Sequence, residues 1–179
     1  HPVTKISPAL TKINTTDTSD VKHLQGIRHK AKLSLFFDDR FIADEKGELL
    51  FAKYGISGIA VMQLSSYIAR AVSGSKAIVY ADFAADFSVP EMIQILSRSV
   101  ARNKSTLCGD ILSGFMPKKL GEMVVKRAGI DISLYASKLY KKDIERIVKT
   151  AKKYNDKKFL HITYLSDKLI CLLSEISKK

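Results

Sequence analysis

Apolar and polar positions alternate along Lys30–Phe36 (KAKLSLF). Ala31, Leu33 and Leu35 fall on one side, Lys32 and Ser34 on the other. A period of two marks a strand with one buried face. Asp44–Gly47 (DEKG) supplies turn residues ending in glycine, and Glu48–Lys53 resumes strand character. The pattern therefore predicts a hairpin turning at 44–47. Ser75–Asp82 (SKAIVYAD), rich in β-branched and aromatic residues, predicts another strand.

Beyond it the period lengthens. Ser88-Val-Pro-Glu91 has the spacing of a capping box, and Met92, Ile93, Leu96 and Val100 follow on one helical face. Ser105 is placed to cap a short helix carrying Leu107, Ile111 and Leu112, with Gly114 as its stop. Pro117 fits the first turn of a third helix, through Leu120, Met123, Val124 and Ala128, ending at Gly129. Ile144, Ile147, Val148 and Ala151 define a fourth. Strand character returns at Lys158–Leu165, and Leu169, Leu172, Leu173 and Ile176 space out a C-terminal helical tail. Strands on both sides of a helical block predict an α+β fold, a β subdomain interrupted by about four helices.

Within this frame, Leu49–Ile68 (LLFAKYGISGIAVMQLSSYI) begins as a strand and continues as a helix through Ile59, Met62 and Tyr67. Between them lies Gly55-Ile56-Ser57-Gly58. Unpaired N–H groups at a helix start attract anions, and glycine lets a ligand approach the backbone. Ser57 could cap the helix or offer its hydroxyl to a ligand. The spacing is neither GxGxxG nor a P-loop, and a plain capping turn explains it as well.

Charge adds a second feature. The net charge is +12, and residues 98–158 hold 16 Lys/Arg against six Asp/Glu. The basic excess thus belongs to the helical block. Such a segment either contacts nucleic acid or forms a solvated helical surface. The lysines fall mostly between the apolar positions, as a solvated face requires.

Other chemistry is sparse. Cys108 and Cys171 stand far apart in apolar contexts and are expected to be buried free thiols. Without CxxC or HxxxH spacing, no metal site is expected. The carboxylate pairs Asp38–Asp39 and Asp82/Asp86 fit turns and solvated loops better than acid–base chemistry. No apolar run approaches the roughly 20 residues that span a bilayer. The N-terminal HPVTKISPAL lacks an apolar signal core. A cytoplasmic setting without membrane contact is expected. His1 in place of an initiator Met suggests a fragment or a processed chain.

Glu48–Ile68 resembles a segment of the bacterial BaiN-like, aminoacetone-oxidase-like FAD-dependent oxidoreductases. Gly47, Glu48, Leu49, Leu50, Phe51, Tyr54, Gly55, Ser57, Gly58 and Gln63–Ile68 match its pattern. Other pieces occur in family order: Ser7-Pro8-Ala9-Leu10, Leu24-Gln25-Gly26-Ile27, and Leu112-Ser113-Gly114 through Pro117-Lys118-Lys119-Leu120. The likeness covers roughly residues 7–155. It departs at Ala52-Lys53, where the family has Thr-His, and at Ile59, where it has Pro. The tail also lacks the family's return strand.

The resemblance implies an insert domain, with a small β-barrel-like subdomain carrying a helical subdomain. It would cover the flavin and substrate side of a Rossmann-type FAD domain lying outside this sequence. The expected division is 1–84 plus 156–167 (barrel-like), 85–155 (basic helical) and 168–179 (tail). The partners implied are that FAD-binding domain and a small-molecule substrate. FAD belongs to the parent protein, and none is expected tightly bound to this chain alone. Lys53, Tyr54, Gly55, Ser57 and Gly58 are the candidate cofactor-facing residues, and Gly58→Val is expected to harm parent activity more than the fold. The alternatives are a stand-alone nucleic-acid-binding module or a protein-docking module using the amphipathic tail.

Overall fold

The computed structural model describes residues 9–15, 19–53, 55–70 and 77–154. Its sheet is a five-stranded, wholly antiparallel half-barrel. In chain order the strands are β1 (Ile13–Asn14), β2 (Arg28–Phe37), β3 (Arg40–Ala52), β4 (Gly55–Ser57) and β5 (Ala77–Asp82). In space they run β1-β4-β3-β2-β5. A short helix, α1 (Ser19–His23), precedes β2, and α2 (Ile59–Ala69) leaves β4 to pack across β3.

The alternating pattern holds. Ala31, Leu33 and Leu35 of β2, Leu49 and Phe51 of β3, and Val79 and Ala81 of β5 are buried. The hairpin turn is elsewhere than predicted. β3 runs unbroken through Asp44–Gly47, and the chain reverses at Asp38–Asp39 instead. Both aspartates take positive φ, 46° and 65°, which is the backbone of a two-residue hairpin loop with right-handed strand twist. A long twisted hairpin favours this tight reversal, and Lys46 and Asp44 then serve as outward ladder residues.

The helical block follows. α3 (Val89–Arg102) opens on the predicted capping box: Glu91 N–H donates to Ser88 Oγ (3.4 Å), and Ser88 N–H donates to Glu91 Oε2 (2.7 Å). The predicted second helix is shorter than its pattern suggested. Only a 3-10 turn forms at Cys108–Asp110; Leu107 is exposed, and Ser105 Oγ donates to Asn103 Oδ1 instead of capping. Leu107 pairs with Tyr135 in a β-bridge, which holds it extended. Gly114 lies in a run of turns rather than at a helix stop. α4 (Lys118–Arg127) ends before Gly129, as predicted, and Pro117 is its N-cap rather than a residue of its first turn. α5 (Lys141–Lys152) buries Ile144, Ile147, Val148 and Ala151. The strand expected at 158–165 and the helical tail lie outside the described residues.

Two polar clusters join helices to sheet. Tyr154 bridges Ala81 of β5 and is 2% exposed. Its hydroxyl donates to Asp20 Oδ2 (2.6 Å), which also accepts from Arg127 Nε (2.9 Å) and Nη2 (2.6 Å). Lys152 Nζ donates to the Ala84 and Phe87 carbonyls (3.0 and 2.7 Å) and pairs with Asp82 (2.7 Å). Around them runs a continuous core in which Phe51, Phe83 and Tyr154 stack in tilted contact.

Candidate functional site

The segment Lys53–Gly58 links β3 to α2 through the short strand β4. Lys53 is exposed at the end of β3, Gly55 is buried, and Ser57 and Gly58 are half-buried. Tyr54 lies outside the described residues. Gly55 pairs with Asn14, and Ile56 with both Ile13 and Phe51, so the segment sits between β1 and β3.

The two glycines are there for close chain approach. A Cβ on Gly55 would lie 2.0 Å from the Ile13 carbonyl oxygen, and one on Gly58 2.2 Å from that of Glu48. Gly58 also has φ 104°, which L side chains avoid. This reverses the expectation for Gly58→Val: the added side chain meets the β3 backbone, so the change strikes the fold itself.

Gly58, not Ser57, is the N-cap of α2, and its missing side chain supplies no capping hydrogen bond. The first turn of α2 contains no acidic residue. The uncapped start of α2 suits an anionic or electron-rich group, while Lys53 stands in the turn between β3 and β4, at the opposite end of β4. The expected helix is present, but turned: Ala60, Val61, Leu64 and Ser65 are buried, while Ile59 and Tyr67 are exposed. A second apolar series at 60, 61, 64 and 68 was the signal for this orientation, and the longer side chains at 59, 62 and 67 masked it.

The basic block spends several of its cations internally. Arg127 pairs with Asp20, Lys152 with Asp82, Lys118 with Asp110 and Arg146 with Asp143. Lys153 lies over the Tyr80 ring at 4.7 Å. On α3, Arg98 and Arg102 line a shallow groove with Ile95, Ser99 and Asn103. The remaining lysines of α4 and α5 are outward residues of amphipathic helices.

The carboxylate pairs take structural roles. Asp38–Asp39 forms the hairpin turn. Asp86 accepts from Lys46 (2.5 Å), a bond that, with the charge of Lys30, holds its carboxyl below the usual range. Cys108 is a buried free thiol, and burial, then the charges of Asp131 and Asp143, pushes its pKa up. Such a thiol is a poor nucleophile. Among the described residues no three His, Cys, Asp or Glu side chains gather as metal ligands, and no helix is long and apolar enough to cross a membrane.

A half-barrel that carries a helical block, with a strand–glycine–helix junction on the sheet, is the architecture of a known domain class. The family model for the HI0933-like protein barrel and H2TH domain matches residues 7–155, and the chain belongs to that family. It is similar to the 3-dehydro-bile acid delta(4,6)-reductase of Clostridium scindens, 26% identical over 153 residues. The match takes in 85% of this chain but only 37% of the length of that reductase.

Proposed function

We propose that this chain is the insert domain of a larger FAD-dependent oxidoreductase. In this reading it covers the flavin and substrate side of a Rossmann-type FAD-binding domain and is inert alone. The observation that carries the reading is the family match across 7–155 together with a reductase relative of which the chain spans little more than a third. The ordered motif resemblance to FAD-dependent oxidoreductases supports it further.

FAD, held by the rest of the parent, would supply the redox chemistry. The segment from Lys53 to Gly58, with Tyr54 within it, is the part of this chain proposed to face the flavin or its small-molecule substrate. Backbone donors at the start of α2 would stabilise a negatively charged group there. Lys53, in the β3–β4 turn at the other end of β4, would add a positive charge on a flexible stem at that end of the segment. Gly55 and Gly58 would act indirectly, by seating the segment against β1 and β3.

The test uses the whole flavoprotein. Lys53→Ala should slow flavin reduction by substrate while FAD content and melting temperature stay unchanged. Unaltered reduction kinetics would remove Lys53 from the site. Retention of stoichiometric FAD by the isolated 179 residues through gel filtration would overturn the insert-domain reading itself.

A further inference from the structure

Helix α2 differs from α4 and α5. The outward sides of α4 and α5 carry Lys118, Lys119, Glu122 and Lys126, and Lys141, Lys142, Glu145 and Lys149. The outward side of α2 is Ile59, Met62, Gln63, Ser66 and Tyr67, with no charge before Arg70. These positions follow i, i+3, i+4, i+7, i+8, so they form one continuous stripe. Ile59 is 65% exposed and Tyr67 42%. The opposite side already fills the core through Ala60, Val61 and Leu64. The outward stripe is thus uncharged, with Ile59, Met62 and Tyr67 as its large side chains, and such a side is suited to packing as well.

Two further details fit a surface that is covered. The Ser66 hydroxyl donates back to the Gln63 carbonyl (2.9 Å), so its hydrogen is satisfied inside the helix. Leu10 is 69% exposed, and next to it Thr11 N–H donates to Ser65 Oγ (3.1 Å), which sets an exposed leucine close beside the helix. The stripe begins at Ile59, directly after Gly58, and is therefore continuous with the segment proposed to face the flavin.

From this we infer that the outward stripe of α2 is the surface on which the FAD-binding part of the same polypeptide docks. The inference rests on the insert-domain reading. The length of the reductase relative beyond the match is the source of such an occupant. Apolar contact here would fix the Lys53–Gly58 segment over the flavin, and its side chains would form the dry centre of the interface.

The test is photo-cross-linking in the whole gene product, with Tyr67→p-benzoylphenylalanine and flavin content read on the same sample. The expected product is an intramolecular link from position 67 to a residue outside these 179. Tyr140, 79% exposed on the helical block, is the control position and should give no such link. A link to a second copy, a link within the 179 residues, or no link at 67 would each overturn the docking surface. If any of these occurs in a sample that holds FAD, the flavoprotein reading stands and only the docking surface falls. A sample without FAD removes the flavoprotein reading, and the FAD-binding occupant with it.

Discussion

Gly58 shows how one residue fixes the junction between sheet and helix. Its φ of 104° and the 2.2 Å approach of an added Cβ to the Glu48 carbonyl act together. Gly58→Ala should therefore lower stability by at least about 2 kcal/mol, since a strained backbone alone costs about 1–3 kcal/mol. Urea unfolding measures this, and an unchanged midpoint would show that the backbone relaxes freely. Ionised side chains act at the same scale. Asp143 accepts from the Tyr140 N–H and from Arg146, Asp131 from Ser133, and Glu91 from Ser88, and each carboxyl is held below its ordinary range. A carboxyl with a lowered folded pKa contributes stability above its unfolded value, near about 4. That contribution is lost as pH falls through the folded value. The melting temperature should hold between about pH 5 and 7 and fall below about pH 4. A melting temperature that stays flat down to about pH 2.5 would contradict these pairings.

At the scale of elements, period and capping decided what could be read from the sequence. α3, α4 and α5 were legible because each has one apolar side and a clear start or stop: Ser88 with Glu91, Pro117 with Gly129, and Ile144 through Ala151. β2 was legible by alternation. The turn was misplaced because DEKG has turn composition while tertiary pairing keeps Asp44–Gly47 in the ladder. Asp38–Asp39 reverses the chain without a glycine, and so lacked the usual signal. Relief of that backbone gives a prediction. Asp39→Gly removes the αL cost of about 1–2 kcal/mol and adds about 0.5–1 kcal/mol of unfolded-chain entropy. The hairpin should gain about 0.5 kcal/mol, read as a small rise in melting temperature. A fall would mean that the Asp39 side chain supports the turn. The candidate site was half legible. The strand–glycine–helix order was visible, but the backbone contacts that explain Gly55 and Gly58 depend on β1 and β3, which sequence spacing does not bring together.

Across the whole molecule, Asp20 ties the sheet side to the helical block through Arg127 and Tyr154. No sequence pattern gives Asp20 a role, since its partners lie more than 100 residues away. Asp20→Ala removes an acceptor from a buried tyrosine hydroxyl and should cost about 1–3 kcal/mol. In a Tyr154→Phe background the same change should cost less, because both act on one contact. Additive losses would show that Asp20 and Tyr154 act independently. The junction matters for the proposed function, because it holds the helical block in fixed relation to the sheet that presents Lys53–Gly58.

The most direct test of the central claim is to capture the native gene product from source cells with an antibody to this chain, and to read its mass and flavin content together. The insert-domain account predicts a polypeptide well above 20.0 kDa that carries FAD. A colourless product of 20.0 kDa would contradict it.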